Sequence, residues 1–172
     1  MPPSIEELLA KAQWLSYFYL QFRPRTEHEM REYLTKKKPK HKLTDTVINI
    51  VINTLKEENL IDDKLFISWL VDKRSRTRQR SMMLLRRELM KHGVDKDLIH
   101  SFFEEKPLEE LPLALQALKV RWKRIASLGK RDRFIRAARF LQGRGFSYGV
   151  IKNAIAEMEE KSYNEDGLEN SY

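Results

Sequence analysis

LTDTVINIVINTL (43–55) places Val47, Ile48, Val51, Ile52 and Leu55 at i, i+1, i+4, i+5 and i+8, the spacing of one face of a helix. Its β-branched residues invite a strand, but a strand would need alternation with period two. Thr44 stands just ahead of the stripe, where a short side-chain oxygen can accept from a free amide of the first helical turn. The same arrangement returns in VDKDLIHSFF (94–103) and FSYGVIKNAIAEM (146–158), with Asp95 and Ser147 in the place of Thr44. One apolar residue precedes each cap, Leu43, Val94 or Phe146, and five positions later come Ile48, Ile99 and Ile151. That is the spacing of a hydrophobic staple. Three aligned helix starts make an internal repeat.

Upstream of the staple, Leu89 and Leu141 stand four residues before Gly93 and Gly145, glycines that can take the left-handed conformation ending a helix. Leu34 plays the leucine part in the first unit, but KKKPKHK (36–42) replaces the glycine turn. This predicts a loop four residues longer, with Pro39 ending the helix. Each unit opens with a helix carrying one tryptophan, Trp14, Trp69 or Trp122, and the first two share with Leu34 and Leu89 an offset of 55. Ser4 with Glu7 and Thr26 with Glu29 form capping boxes, and no equivalent box opens the second helix of the second unit. The expected fold is all-α, an elongated array of three tandem three-helix (helix-turn-helix-like) repeats at 4–61, 62–106 and 108–161. EKPLEELP (105–112) links the last two, and the polar tail 162–172 is expected to be disordered.

The 172 residues include no cysteine, which excludes disulfides, thiolate metal sites and a cysteine nucleophile and fits a reducing compartment. MPPSIEELLAKAQ (1–13) lacks the basic-then-apolar order of a signal peptide, and no stretch approaches the roughly 18 apolar residues of a membrane span. A cytoplasmic protein, neither exported nor inserted, is expected. Chemistry has no visible seat. His28, His41, His92 and His100 offer no pair at ligand spacing with a third donor, so no metal is predicted. No phosphate-cradling glycine loop or nucleophile motif occurs, and Asp62 and Asp63 read as caps of a helix start. No cofactor and no enzymatic activity are expected. In WLSYFYLQF (14–22), Trp14, Leu15 and Phe18 are assigned to the core, while Tyr17 and Tyr19 stay open between packing and base stacking.

Charge carries the functional signal. The chain is +8 overall, yet windows 73–92 and 119–144 hold 18 of its 33 positive charges and two of its 25 negative ones. An ordinary solvated helix face mixes signs, so these windows point to an acidic partner. The candidate contacts are Arg74, Arg76, Arg78, Arg80, Arg86, Arg87, Lys123, Arg124, Lys130, Arg131, Arg133 and Arg136. Arg74 to Arg80 alternate across a helix–helix junction and cannot share one face, although a loop could present several. Third helices carry net charges of −2 over 45–58, −2 over 96–105 and −1 over 148–161, the wrong sign for a recognition helix in a major groove.

LIDDKLFISWLVDKR (60–74), LLRRELMKHGVDKDLI (84–99) and RFLQGRGFSYGVIKNAI (139–155) together resemble the RecX regulatory proteins over about residues 8–160. Asp62, Asp63, Phe66 and Trp69, the Glu88-Leu89 to Gly93 segment, and Gly145-Phe146-Ser147-Tyr148 are the most specific parts. The resemblance implies tandem three-helix repeats and a modulator of the RecA nucleoprotein filament on single-stranded DNA, one that lies in the filament groove and inhibits ATPase and strand exchange; a monomer that binds duplex at most weakly is expected. A helix-turn-helix-like transcriptional regulator is the alternative.

Overall fold

The structure, a computed structural model, describes residues 3–169, with side chains as far as Tyr163. Among these residues the chain is helical without a strand. In order the helices are α1 (Ile5–Leu20), α2 (Glu27–His41), α3 (Asp45–Glu57), α4 (Asp63–Thr77), α5 (Met82–Lys91), α6 (Lys96–Glu105), α7 (Glu110–Trp122), α8 (Lys130–Gln142) and α9 (Tyr148–Glu169). They form three consecutive triplets.

The third helices start as their sequences require. Thr44 Oγ1 accepts from the Val47 amide at 3.2 Å, Asp95 Oδ1 from the Asp97 and Leu98 amides at 2.9 and 3.2 Å, and Ser147 Oγ from the Val150 amide at 3.4 Å. All six staple residues, Leu43 with Ile48, Val94 with Ile99 and Phe146 with Ile151, are buried. Asp62 caps α4 by accepting from the Lys64 and Leu65 amides at 2.7 and 3.0 Å.

Two compact units are present. Unit 1 comprises α1–α3, α4 through Leu70, α5 from Glu88, and α6; unit 2 comprises α4 from Val71, α5 through Arg87, and α7–α9. In unit 1, Ala12 and Leu15 of α1, Met30 and Leu34 of α2, and Val47, Ile48, Val51, Ile52 and Leu55 of α3 close one core. In unit 2, Ala114, Leu118 and Trp122 of α7, Ala137 and Leu141 of α8, and Ile151, Ala154 and Ile155 of α9 close the other.

The same joint occurs once in each unit. In unit 1 the buried Thr26, capping α2, accepts from the Glu29 amide at 3.1 Å and donates its hydroxyl to the His92 carbonyl at 2.6 Å. Gly93, at φ +76°, follows, and a Cβ there would overlap the His28 Cβ and ring. In unit 2 the buried Ser81, capping α5, accepts from the Leu84 amide at 3.3 Å and donates its own amide to the Arg144 carbonyl at 3.0 Å. Gly145, at φ +84°, follows, and a Cβ there would lie 2.5 Å from Ser81 Oγ and 2.6 Å from Leu84 Cγ. The missing capping box of α5 now has its explanation: where Glu29 satisfies the Thr26 amide, the Arg144 carbonyl satisfies that of Ser81.

Three expectations change, and one left open is decided. Pro39 does not end α2, which runs on to His41, so KKKPKHK is helix rather than an enlarged loop. Proline withholds one hydrogen bond from the Thr35 carbonyl, but both residues are exposed, where water can satisfy that oxygen. Lys42 then takes the left-handed turn at φ 54°, standing just before Leu43 as Gly93 and Gly145 stand before Val94 and Phe146. Trp14 and Phe18 are not core residues: they are 57% and 46% exposed, stacked on each other along the outside of α1 with centroids 5.9 Å apart, while Leu15 is buried. Tyr17 and Tyr19 differ too, the first exposed and hydrogen-bonded to Glu58 at 3.3 Å, the second stacked on Tyr33 at 4.1 Å. Helix α9 passes the boundary at 161, and Ser162 accepts from the Trp122 indole N–H at 2.7 Å, which ties that turn to α7. Residues 170–172 of the expected disordered tail lie outside the described ones.

Glu29 makes the unit 1 joint ionic. Arg23 Nη1 donates to Glu29 Oε2 at 2.9 Å, Arg23 Nη2 donates to Oε1, and His92 Nδ1 sits 2.9 Å from Oε1. Burial works to raise the Glu29 carboxyl, but hydrogen bonds and charge from Arg23 and His92 outweigh it and hold it below the usual carboxylate range. A depressed folded pKa contributes stability that is present above the unfolded value and lost as pH falls through the folded one. Glu29→Gln is therefore expected to lower stability by about 1.5–3 kcal/mol at neutral pH, and the gap should close in acid. Urea unfolding followed by circular dichroism at several pH values measures this; a gap that stays constant down to full protonation contradicts it.

The turn residues yield a second expectation of opposite signs. Gly93→Ala and Gly145→Ala add both a left-handed alanine and a steric overlap, and each should cost at least about 2 kcal/mol. Lys42→Gly relieves a left-handed non-glycine residue and should gain about 0.5–1 kcal/mol. Thermal melts of the three variants check the signs.

Candidate functional site

Positive charge gathers in one unit. Unit 2 holds 20 Lys and Arg against 10 Asp and Glu, a net +10, whereas unit 1 holds 13 against 15, a net −2. All twelve candidate cations belong to unit 2. Their settings differ.

Arg74 and Arg76 sit in the last turn of α4, which extends to Thr77, so only Arg78 and Arg80 lie in the connection to α5. Arg76 is exposed and pairs with Asp72 at 2.9 Å, Arg78 is exposed, and Arg80 is half-buried. On α5, Arg86 is half-buried and Arg87 exposed. Lys123 and Arg124 are exposed just past the end of α7. Lys130 and Arg131 occupy the first turn of α8, the end where the helix dipole disfavours cations, and both face solvent, as does Arg136. Helix stability does not explain their placement.

Arg133 differs from the rest. Its side chain is 15% exposed, it meets Glu159 of α9 at 3.1 Å, and it donates to the Ala126 and Leu128 carbonyls at 2.9 and 3.3 Å. Its guanidinium lies 5.6 Å from the Trp122 ring centroid. Those bonds commit it to joining α8, α9 and the α7–α8 connection.

Within unit 2 a hollow of about 430 Å³ opens among the end of α4, α7 and α8. Arg76, Arg121, Arg124 and Arg144 stand on its wall with Gln79, Gln116 and Phe140, and no carboxylate lines it. The Arg121 and Arg144 guanidiniums lie 5.9 and 4.6 Å from the Phe140 centroid. Arg144 donates to the Gln79 carbonyl at 3.1 Å, while the buried Nε of Arg121 has no hydrogen-bond partner among the described residues. Burial, and then the neighbouring Arg78 and Arg80 charges, push Arg144 below the ordinary arginine value. Arg76 already has Asp72 at 2.9 Å, but no carboxylate lines the wall beside Arg121, Arg124 and Arg144, and guanidiniums so placed around a concavity favour an anion.

Arg121 and Arg144 are absent from the twelve candidates, although both lie in the second basic window. Charge density along the chain ranks exposed runs. Only the packing of α7 against α8 turns these two arginines toward one space. Among the described residues, no three His, Asp or Glu side chains are grouped to hold a metal ion, and no helix is long and apolar enough to cross a membrane. His28 lies 3.9 Å from Glu32 and His100 lies 3.2 Å from Glu104, both on exposed helix faces.

Residues 109–155, which span α7, α8 and the start of α9, match the family model described as RecX, third three-helix domain. The regulatory protein RecX of Streptococcus mutans is 27% identical over 98% of this chain and 66% of its own length. That of Oceanobacillus iheyensis is 30% identical over 90% of this chain and 56% of its own length. The chain thus spans between about half and two thirds of the curated relatives it matches. The crystal structure of RecX from Lactobacillus salivarius shares the fold with a TM-score of 0.74 at 20% identity, over 90% of this chain and 98% of that one. The likeness in sequence runs through all three triplets, well beyond the one domain that the family model covers, and these matches together support a RecX family protein.

Proposed function

We propose that this chain is a non-enzymatic regulator of homologous recombination, which grips the RecA filament on single-stranded DNA as a monomer in the cytoplasm and lowers its ATPase and strand exchange. The observation that carries the reading is the gathering of cations into unit 2, at +10 beside a unit 1 of −2. Exposed Arg76, Arg78, Arg87, Lys123, Arg124, Lys130, Arg131 and Arg136 supply a surface for phosphates or for carboxylates of a protein filament. The net negative third helices speak for gripping a backbone rather than reading bases in a groove.

Added at one chain per few RecA subunits, the protein should lower single-strand-dependent ATP hydrolysis and strand exchange; unchanged rates at stoichiometric amounts reject the reading. A selection on random duplexes should enrich no motif, and reproducible enrichment would instead favour a helix-turn-helix-like transcriptional regulator. Exchanging the exposed Arg76, Arg78, Arg87 and Arg136 for alanine should weaken filament binding and flatten its dependence on salt, by roughly 0.7 in log–log slope for each single-strand phosphate contact removed. The circular dichroism melt should stay as in the wild type, since these side chains face solvent.

A further inference from the structure

The hollow walled by Arg76, Arg121, Arg124 and Arg144 does not end at its own rim. Gln116 of α7 also borders a second hollow of about 370 Å³, where Leu115, Trp122 and Met158 give an apolar floor and Lys119, Lys123 and Lys161 surround the opening. Neither hollow has a carboxylate on its wall. A guanidinium-rich hollow beside an apolar, lysine-fringed one matches a ligand whose anionic groups alternate with flat or apolar ones.

We propose that these adjoining hollows are one subsite for a single-stranded polynucleotide, with backbone phosphate against Arg121, Arg124 and Arg144 and the adjacent sugar and base against Leu115 and Met158. Arg76 is already paired with Asp72, but Arg121, Arg124 and Arg144 around one space still call for more negative charge than a lone carboxylate brings, and successive phosphates bring it. The Arg121 Nε supplies a buried donor with no partner among the described residues. Cations also continue past the hollow, with Arg78 and Arg80 near enough to act on Arg144 and with Lys119 and Lys123 on the far side of Gln116, where Lys161 is already paired with Glu157 at 2.7 Å. A repeating polyanion fits that run better than a single nucleotide does. This assignment rests on the polyanion reading of unit 2 and names where the strand would sit.

The test uses the full chain and a fluorescein-labelled oligo(dT) of about 20 nucleotides, with anisotropy recorded over a salt series. Arg121→Gln with Arg124→Gln should weaken binding about tenfold and lower the log–log salt slope by roughly 1.4. A charge-matched pair of exposed residues outside the hollows, Arg139→Gln with Lys152→Gln, should lose clearly less. Substituting uncharged methylphosphonates along the oligonucleotide should remove the difference between the two pairs. Equal losses in both pairs would overturn the subsite and leave only a diffuse field. Displacement of oligo(dT) by hexaglutamate at matched charge, or by ATP at micromolar concentration, would overturn it in favour of a peptide or a free nucleotide. If the hollow pair melts early, Arg76→Gln on the exposed rim carries the same comparison. The two readings separate cleanly. A chain that lowers RecA ATPase but shows equal losses fails here alone, and one that leaves RecA untouched yet loses oligo(dT) selectively keeps the subsite and loses the filament.

Discussion

A cap that meets a glycine turn is the joint on which the fold depends. The residue heading one second helix, Thr26 or Ser81, hydrogen-bonds the carbonyl that precedes Gly93 or Gly145 at the tail of the next. Free helix ends leave amides and carbonyls without partners, and burying them unsatisfied is costly. Here one repeat's backbone amide at Ser81, or side-chain hydroxyl at Thr26, answers another's loose carbonyl. Glycine follows from closeness as well as from φ, because His28 in one joint and Ser81 with Leu84 in the other occupy the space of a Cβ. Helix α5 serves both joints, its head with unit 2 and its tail with unit 1. The middle triplet is consequently divided between two compact units rather than forming a third.

The parts of this arrangement that a chain expresses locally were readable from residues alone. Thr44, Asp95 and Ser147 cap through atoms two or three residues away, and their staples close within one turn, so the pattern and the structure coincide. What depended on a neighbour was not readable. The helical stripe of Trp14 and Phe18 announces a face, but nothing in its period says whether another element covers it, and here they stay exposed. Pro39 looked like a stop because proline forfeits a hydrogen bond; the position is exposed, and the turn itself falls to Lys42. Arg133 sat in a basic run like its neighbours, yet its geometry with Glu159 makes it a brace. Arg121 and Arg144 gained their meaning only from packing of α7 and α8.

Charge and architecture are linked through that packing. Most basic residues of unit 2 lie on connections and on α4, α5, α7 and α8, with Lys152 and Lys161 on α9, while α3, α6 and α9, which complete the triplets, are each net negative. Arg144 shows how tightly the two roles are drawn together. Its carbonyl accepts from Ser81 in the joint, and its guanidinium faces the arginine hollow. Disturbing the glycine beside it would therefore reach the charged wall as well as the fold.

The repeat that gives each triplet one tryptophan does not give the three equal surroundings. Trp14 is 57% exposed beside Lys11, Trp69 is half-buried against Phe66, and Trp122 is 5% exposed with its indole N–H bonded to Ser162. Emission from such a set is a composite, red-shifted and open to aqueous quenchers from the first, and blue-shifted and shielded from the last. The chain thus carries its own optical labels: the long-wavelength edge of its fluorescence reports on unit 1 and the short-wavelength edge on unit 2.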